Sequence, residues 1–458
     1  MFSRKMAEIS KRKLLFGYLL LILAALLVTG LYWQGAMQQL TQVNRRQIID
    51  QDAYIHYAIE LKETGYTYPG DFARMPVYPV LQSLFYQPGM DRTVFFEQGK
   101  VRNLVLSLVL LAGVALIFWR KFGLLHASTI VLIVAFTVFV FKAGWFQAEL
   151  LFYFLNFCLF ILMWRLFKKP SLLLAILTGI TAGLTHLTKA SVLPGLLLFM
   201  LIYSLETGWK AVQAYRNKGE NRKAWSSTYA IWVVPLVGIS FLITVLPYIQ
   251  ASRRITGHYF YNVVSTFYVW YDSWEEASQG TRAFGDREGW PDMPADQIPS
   301  LSKYLREHTA AQIVERFING GRLVVNRVVN SYGYAKYVVL YSAFLVFVAI
   351  RYRRRTRAVI RANRFLSLFV VAYFVAYLLL YFWYAPIAAG NRLILAQFLP
   401  LMFAILSGLQ VLLKDVAVKL GRRPVDALVA FNLVVLCLLV FDIYLILSER
   451  IGTMVGGE

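Results

Sequence analysis

The segment Leu14–Trp33, which reads LLFGYLLLILAALLVTGLYW, contains no charged residue and decides the class of fold. A hydrocarbon core of about 30 Å is crossed by about 20 apolar residues in a helix. The segment follows a basic N-terminus that includes Arg4, Lys5 and Lys11. Because basic residues accumulate on the cytoplasmic side of membrane proteins, we interpret the segment as an uncleaved anchor with its N-terminal side in the cytoplasm.

Segments of this kind recur along the whole chain, which has 458 residues and is 58% hydrophobic and only 16% charged. This composition is typical of polytopic membrane proteins rather than of soluble domains. It predicts an all-α membrane protein with about 11 transmembrane helices in a single domain over residues 1–458, with no soluble domain after the last helix. The predicted spans after the first are Val101–Trp119, His126–Lys142, Trp145–Phe167, Ser171–Thr188, Ser191–Leu205, Tyr229–Gln250, Lys336–Ile350, Phe365–Tyr384, Leu393–Leu413 and Ala427–Leu447.

The basic residues predict how the loops are sorted across the membrane. Alternation of the spans places these basic segments on the cytoplasmic side: Arg120–Lys121, Arg165–Lys169, Lys210–Lys223, Arg351–Arg364 and Lys414–Arg423. The formal net charge of +22 therefore follows from topology and attracts anionic membrane lipids. Its dispersal over short loops argues against nucleic-acid binding. Two long segments, residues 34–100 and 251–335, fall on the outer face, where we expect the function.

The outer segments contain no Asn-x-Ser/Thr glycosylation acceptor. This absence favours a bacterial inner (plasma) membrane over a eukaryotic secretory membrane. We therefore expect an integral protein of that membrane, with a cytoplasmic N-terminus and an active site on the outer face.

The first outer segment contains DAYIHYA at residues 52–58, in which apolar residues recur with helical spacing. Asp52 opens this pattern and either caps the helix or serves as a functional carboxylate. His56 lies one turn later on the same face, where it either shares a ligand with Asp52 or only forms an interfacial hydrogen bond. Asp50 is a second candidate carboxylate. Charged groups at the surface of a many-span protein usually handle protons, cations or a polar substrate.

A second motif, ARMPVYP at residues 73–79, follows in the same loop. Pro76 and Pro79 restrict the backbone, so the motif predicts a rigid turn that returns to the membrane. The guanidinium of Arg74 would either form a structural ion pair with a carboxylate or bind a phosphate with two hydrogen bonds.

Together these two motifs resemble the first lumenal loop of the GT-C glycosyltransferases. The resemblance is to the branch that uses polyprenyl-phosphate sugars, which includes protein O-mannosyltransferases and lipid A aminoarabinose transferases. It implies a polytopic enzyme that takes a sugar from a lipid phosphate on the outer face. It also implies that Asp52 acts on the acceptor, with Tyr54 among the substrate-binding residues. Many members have an adjacent acidic pair, whereas Gln51 precedes Asp52 here.

Three segments at the outer ends of later spans resemble further motifs of the family. QAELL at residues 147–151 contains Glu149, whose charge needs a polar cavity, a cation or a structural partner at this depth. TAGLTHLTKAS at residues 181–191 contains Lys189, which either meets a lipid phosphate or only snorkels to the interface. His186 in the same motif either packs or orients a neighbour. NRLILAQFLP at residues 391–400 contains Arg392, a second cation that can converge with Lys189 on one phosphate.

The second outer segment has two parts. Its middle is rich in acidic residues, proline and tryptophan, and the following stretch, Leu301–Val329, is amphipathic and predicts helices in the membrane interface. Four aromatic residues of the segment either stack on sugar rings or form an aromatic belt: Trp270, Tyr271, Trp274 and Trp290. The resemblance implies that the acceptor is selected in this segment.

We therefore predict a hexosyl- or pentosyl-type glycosyltransferase that moves a sugar from a polyprenyl-phosphate donor to a hydroxyl of a glycan, lipid or protein acceptor. Asp52 would act as the general base of an inverting transfer. Arg74, Lys189 and Arg392 would stabilise the departing phosphate. The motifs require no cofactor, and a divalent cation, Mg²⁺ or Mn²⁺, at the candidate carboxylates is left open.

Two other classes remain as alternatives. An O-antigen ligase or polymerase would share the membrane geometry but consume a lipid diphosphate. A transporter or flippase of lipid-linked sugars would place its binding residues near the middle of the membrane, usually in repeated halves. The candidate charges of this chain instead gather at the outer boundary, which favours the glycosyltransferase.

Overall fold

The computed structural model describes residues 2–45, 49–68, 70–216, 229–387, 390, 392–421 and 423–452. Asn391 and part of the predicted inner segment Lys210–Lys223 fall outside these ranges. The described residues are mostly helical, which confirms the all-α fold class. The helices are α1 (Phe2–Gln42), α2 (Ile49–Glu63), α3 (Val77–Ser83), α4 (Arg92–Phe122), α5 (Leu124–Val134), α6 (Val140–Lys142), α7 (Glu149–Lys168), α8 (Leu172–His186), α9 (Leu193–Arg216), α10 (Tyr229–Thr256), α11 (Val263–Thr266), α12 (Trp274–Gln279), α13 (Leu301–Glu307), α14 (Ala310–Val329), α15 (Ala335–Arg351), α16 (Arg353–Ala362), α17 (Arg364–Tyr384), α18 (Arg392–Leu395), α19 (Phe398–Leu412) and α20 (Ala427–Leu445).

Strands are confined to a short hairpin in the part of the chain that the structure describes. Strand β1 (Ala417–Leu420) pairs antiparallel with β2 (Arg423–Asp426), and Val418 lies opposite Val425. The hairpin precedes α20 and coincides with the predicted inner segment Lys414–Arg423.

Among the described residues, nine helical segments are long and apolar enough to cross a membrane, so the protein is an integral membrane protein. They are Leu19–Gln42, Arg92–Phe122, Leu124–Lys142, Glu149–Lys168, Ala190–Arg216, Ala230–Thr256, Arg364–Tyr384, Arg392–Leu412 and Ala427–Arg450. Helices α15 and α16 pass the same test only as a pair, and they bend by 100° at their junction. Helix α8 is apolar but has only 15 residues. Each predicted span coincides with a helix, although nine or ten rather than eleven meet the criteria of length and composition.

The buried core lies around two of these spans, Leu124–Lys142 and Arg392–Leu412, most of whose side chains are enclosed by other helices. By contrast, α1 and α20 expose many leucine and valine side chains, as expected for helices that contact lipid tails. One continuous cluster of buried hydrophobic residues runs from Tyr32 to Ile451. A second cluster, which includes Tyr54 and Phe146, lies beneath α2 and holds the first long segment against the bundle.

Close packing of α8 against α10 fixes the position of the turn that contains Lys189. A Cβ atom at Gly179 would lie 2.4 Å from the carbonyl oxygen of Val237, and one at Gly183 would lie 2.5 Å from Cβ of Thr244. The four-residue spacing places both glycines on one face of α8, an arrangement of small residues that lets membrane helices approach closely.

Backbone hydrogen bonds tie the first long segment to two other parts of the molecule. The amide of Val77 donates to the carbonyl oxygen of Leu187 at 2.9 Å, just after α8 ends. The amide of Val263, in the second long segment, donates to the carbonyl oxygen of Phe72 at 3.0 Å. The stretch between Phe72 and Val77, which contains Arg74, is therefore held at both ends.

Contacts between loops group them at two ends of the bundle, as the charge pattern predicts. At one end, Arg355 of α16 donates to the carbonyl oxygen of Lys414 at 2.8 Å, and Gln410 of α19 donates to that of Lys121 at 3.4 Å. The two long segments meet at the other end. Which end faces the cytoplasm stays a prediction.

Candidate functional site

The two aspartates of the first long segment lie on opposite faces of α2. The helix begins at Ile49, so both Asp50 and Asp52 fall in its first turn. Residues two apart in a helix are separated by about 200° around its axis. The side chain of Asp50, which is 25% exposed, faces the bundle. Asp52 points away from it, is 55% exposed and pairs with Arg45 at 3.3 Å.

The carboxylate of Asp50 is bound by two guanidinium groups. Nη2 of Arg74 lies 2.5 Å from one oxygen, and Nη1 of Arg392 lies 2.5 Å from the other. Burial alone would raise the pKa of Asp50, but Arg392 and Arg74 outweigh it and hold the pKa well below the usual carboxyl range. In this arrangement Asp50 is ionised at neutral pH.

Arg74 is oriented by Asp71, a residue that the sequence analysis did not single out. One oxygen of Asp71 accepts hydrogen bonds from the backbone amides of Ala73 at 3.1 Å and Arg74 at 2.9 Å, and the other accepts from the guanidinium of Arg74. Arg287 of the second long segment approaches the same carboxylate at 3.8 Å. An aspartate that accepts backbone amides just after itself is a common turn former, so the sequence GDFARMP contained a usable signal.

Glu149 is the second buried carboxylate and the first residue of α7, with its side chain only 3% exposed. Nζ of Lys189 donates to Oε1 of Glu149 at 2.7 Å. Nη1 of Arg392 lies 3.9 Å from the same oxygen. The N-terminal end of a helix also favours negative charge. These contacts compensate the cost of burying an ionised carboxylate.

These contacts join six side chains of alternating charge, termed here the charged cluster. Its members are Asp71, Arg74, Asp50, Arg392, Glu149 and Lys189. Arg392 is the junction, because it contacts both Asp50 and Glu149. Three carboxylates balance three cations, so the cluster has no formal net charge. Phosphate and carboxylate oxygens accept the same paired hydrogen bonds from a guanidinium, and an anionic ligand can therefore replace an internal partner.

Asp52 and His56 do not join the charged cluster, although a general base at Asp52 would have to lie near the cations predicted to stabilise the departing phosphate. The two residues lie four apart on the outward face of α2, where Nδ1 of His56 is 3.6 Å from a carboxylate oxygen of Glu60. The expectation failed because α2 starts before Asp52 rather than at it, which turns Asp50 toward the bundle instead.

Tyr54 and His186 are buried and take no part in the ion pairs of the charged cluster. The Tyr54 ring packs edge-on against Tyr78, with centroids 5.3 Å apart. Burial, and then the charges of Glu149 and Asp50, raise the pKa of Tyr54 well above its ordinary value. The His186 ring packs against Phe241 of α10, with centroids 5.8 Å apart, which agrees with the packing alternative for this residue.

Lys142 is a further cation near Glu149 that the sequence analysis did not single out. It ends the span Leu124–Lys142, is buried, and has its ammonium 5.7 Å from the ring centroid of Tyr332. Its charge interacts with that of Glu149. A lysine at the predicted outer end of a span runs against the positive-inside preference. The same signal singled out Lys189, so Lys142 was open to prediction.

The carboxylates of the charged cluster do not fit a divalent cation. Both oxygens of Asp50 and one oxygen of Glu149 are bound by cationic side chains, and Asp52 lies on the other face of α2. Within the described ranges, no three His, Cys, Asp or Glu side chains converge. Mg²⁺ and Mn²⁺ take several oxygen ligands. The charged cluster therefore lacks a set of free oxygen ligands for either ion.

The second long segment contains a separate polar cluster around Asp272. Its carboxylate accepts from Nη1 of Arg316 and from the hydroxyl of Tyr304, each at 2.8 Å, and lies 2.8 Å from Nε2 of His308. The guanidinium of Arg316 lies 4.1 Å from the ring centroid of Trp383 at the end of α17. This network joins α13 and α14 to the turn that precedes α12.

A largely apolar groove of about 790 Å³ lies between α14 and Phe382 of α17. Its lining includes Arg322 but no member of the charged cluster. Helices α13 and α14 occupy the stretch predicted to be amphipathic, and α14 is strongly so. The groove is thus a feature of the amphipathic helix and not of the charged cluster.

No protein-family model and no curated protein matches the chain. Among solved structures, the fold is similar to the crystal structure of ArnT from Cupriavidus metallidurans bound to undecaprenyl phosphate. The two chains are 13% identical, and the likeness covers 81% of this chain and 77% of that chain with a TM-score of 0.32.

Proposed function

We propose that the protein is a membrane glycosyltransferase that moves a sugar from a polyprenyl-phosphate donor to an acceptor hydroxyl, with the charged cluster as its active site. The observation that carries this proposal is the position of Arg392, which pairs with Asp50 and approaches Glu149 at the end of an apolar span. A headgroup on a lipid tail would reach this place from the membrane. A polar acceptor would reach it from the long segments.

The donor phosphate is proposed to bind to Arg392, Lys189 and Arg74. In the ligand-free protein these cations are neutralised by Asp50, Glu149 and other carboxylates. A phosphate would take over part of this pairing. When the bond to the sugar breaks, the phosphate gains negative charge, so the same cations stabilise the transition state more than the bound donor.

We assign the general base to Asp50 rather than to Asp52, because Asp50 faces the cations and Asp52 does not. With two arginines bound, Asp50 is a weak base. If Arg392 turns to the phosphate, Asp50 loses one of its two cations and its pKa rises, because less positive charge then opposes the effect of burial.

The transfer itself would be a single displacement. The proton of the acceptor hydroxyl passes to Asp50, and the acceptor oxygen forms a bond to the anomeric carbon of the sugar. The bond from that carbon to the phosphate oxygen breaks, and its electron pair stays on the polyprenyl phosphate. Attack opposite the leaving group inverts the anomeric configuration.

The matched pair Asp50→Asn and Asp52→Asn tests the proposal. In cells that lack the native gene, we expect Asp52→Asn to restore the envelope glycan and Asp50→Asn to lower its formation by at least about 100-fold, the usual loss for a general base. Mass spectrometry of the surface glycans measures the transferred sugar, and size-exclusion chromatography of each purified variant checks folding. A well-folded Asp50→Asn variant with normal product would refute the assignment, and an unchanged glycan profile on gene deletion would refute the glycosyltransferase.

A further inference from the structure

Gln147, two residues before Glu149, is buried but has no hydrogen-bond partner for its side chain. It is 4% exposed, and neither its amide nitrogen nor its amide oxygen is bonded. Among the buried amide side chains of the described residues, it alone lacks a hydrogen-bond partner for both its nitrogen and its oxygen. Buried polar groups are nearly always satisfied, because leaving them unpaired is costly. Its amide is therefore available to a partner from outside the protein, either a ligand or a trapped water molecule.

Two unpartnered atoms follow on α7. Oε2 of Glu149 and the hydroxyl of Tyr153 are buried and have no hydrogen-bond partner. The two residues are four apart, so their side chains lie on the same face of the helix. The amide, carboxylate and phenol are close in sequence, and together they can donate and accept hydrogen bonds. This combination suits hydroxyl groups, which do both.

The same carboxylate connects these atoms to the proposed phosphate site. Oε1 of Glu149 is bound by Lys189 at 2.7 Å and approached by Arg392 at 3.9 Å, which leaves Oε2 beside the two cations. The charges of Glu149 and Arg392 also act on Tyr153. In a lipid-linked sugar the phosphate is bonded directly to the anomeric carbon. The sugar ring must therefore lie next to whatever binds the phosphate.

We propose that Gln147 and Tyr153, with Oε2 of Glu149, form the subsite that binds the hydroxyl groups of the donor sugar. Gln147 is the specificity-determining residue, because its amide offers both a donor and an acceptor in fixed positions. This inference rests on the proposed function and names the part of the donor that the buried polar atoms recognise.

The test compares two lipids in the full-length protein reconstituted in nanodiscs. One is undecaprenyl phosphate, and the other is undecaprenyl phosphate bearing a hexose or a pentose, taken from a panel of such sugars. We expect the wild-type protein to bind at least one sugar-bearing lipid more tightly than the bare lipid. Gln147→Leu and Tyr153→Phe should each lower the affinity for that sugar-bearing lipid about tenfold and leave the affinity for the bare lipid unchanged.

The control variant is Gln410→Leu, which is the same substitution at an exposed position at the opposite end of the helix bundle. Gln147→Leu should unfold at or above the wild-type temperature, because no hydrogen bond is lost. An equal loss of affinity for both lipids would contradict the subsite, because it would mean a structural role for these residues. Unchanged affinity for both lipids would also contradict it and would mean that trapped water satisfies these atoms. A wild-type protein without preference for any sugar-bearing lipid would likewise overturn the subsite. Failure of the wild type to bind the bare lipid would remove the proposed function itself.

Discussion

Gln51 stands where the resemblance to GT-C enzymes leads one to expect a second acidic residue beside Asp52. Its amide oxygen accepts the backbone N–H of Phe146 at 2.9 Å, and its amide nitrogen donates to the carbonyl oxygen of Asn44 at 3.0 Å. A carboxylate has no hydrogen to donate to that carbonyl. The amide is therefore needed to fix the start of α2 against the turn before α7, and this placement turns Asp50 toward Arg392.

The cations of the charged cluster can be tested one residue at a time. Arg392→Ala should weaken binding of undecaprenyl phosphate at least tenfold, whereas Arg392→Lys, which keeps the charge but loses the paired hydrogen bonds, should weaken it less. Titration of the lipid into nanodiscs with isothermal calorimetry measures both. Equal affinity in all three proteins would exclude Arg392 from phosphate binding.

Loss of Lys189 alone would leave Glu149 buried without its nearest cation and so destabilise the protein. The double variant Lys189→Met, Glu149→Gln removes both charges and serves as the matched control. If it folds and still loses lipid affinity, the loss reports the missing ammonium rather than unfolding.

At the level of elements, the face that α2 presents to the bundle was open to prediction. The residues that proved buried include Tyr54, Tyr57 and Ala58. Steps of three or four residues back from Tyr54 reach Gln51 and Asp50, and they skip Asp52. The sequence predicts a helix that begins at Asp52, because aspartate is a favourable cap, but packing outweighs this local preference and α2 begins at Ile49. The pairing of Asp50 with Arg392 could not be predicted from the sequence, because the two residues are remote in the chain.

The contact between α8 and α10 gives a prediction about stability. Gly183→Ala should destabilise the protein by about 1–3 kcal/mol, because its Cβ would lie 2.5 Å from Cβ of Thr244. Gly238→Ala in α10 is the control, since its Cβ would lie at an ordinary 3.6 Å from Met200. Thermal unfolding of the detergent-solubilised proteins measures the difference. Equal melting temperatures would mean that α8 and α10 do not pack this closely.

The network around Asp272 gives a prediction about pH. Nδ1 of His308 lies 3.0 Å from the carbonyl oxygen of Tyr304, and Nε2 lies 2.8 Å from Asp272. Both partners only accept hydrogen bonds, so this arrangement favours the cationic imidazole, in which both ring nitrogens donate. Burial alone would lower the pKa of His308, but the bonds to Asp272 and to the backbone of Tyr304 outweigh it and raise the pKa, despite the nearby charge of Arg316.

A raised pKa in the folded state means that this contact stabilises the protein fully below the unfolded pKa of about 6.5 and loses its effect as the pH rises through the folded value. We expect the melting temperature of the wild-type protein to exceed that of His308→Gln at pH 6, with the difference shrinking by pH 8.5. A constant difference across this range would show that His308 does not titrate in the network.

At the scale of the whole molecule, the apolar segments were predictable because the length of a membrane span is a local property. Phe365–Tyr384 was predicted and Arg364–Tyr384 is observed, and Lys336–Ile350 corresponds to α15. The 100° bend between α15 and α16 was not predicted, because nothing in the charge of Arg351–Arg364 specifies a direction. The alternation of the membrane spans predicted that remote loops meet at one end of the bundle. The individual ion pairs could not be predicted, because they depend on tertiary packing.

The predicted orientation can be tested with cysteine labelling. Glu275→Cys lies in the second long segment and Arg357→Cys lies in α16, and both positions are exposed at opposite ends of the bundle. In spheroplasts, a membrane-impermeant maleimide should label only Glu275→Cys above the wild-type background, and permeabilisation should add Arg357→Cys. The reverse pattern would invert the topology and place the charged cluster in the cytoplasm.

The hydrogen bond from Val263 to Phe72 and the approach of Arg287 to Asp71 connect the two long segments immediately before Arg74. A displacement of either segment would therefore be transmitted to the other through these two contacts. In the proposed reaction, an acceptor that displaced the second segment would also shift the guanidinium of Arg74, which binds the donor phosphate. Binding of the acceptor would then be coupled to the position of the donor before any bond is made or broken.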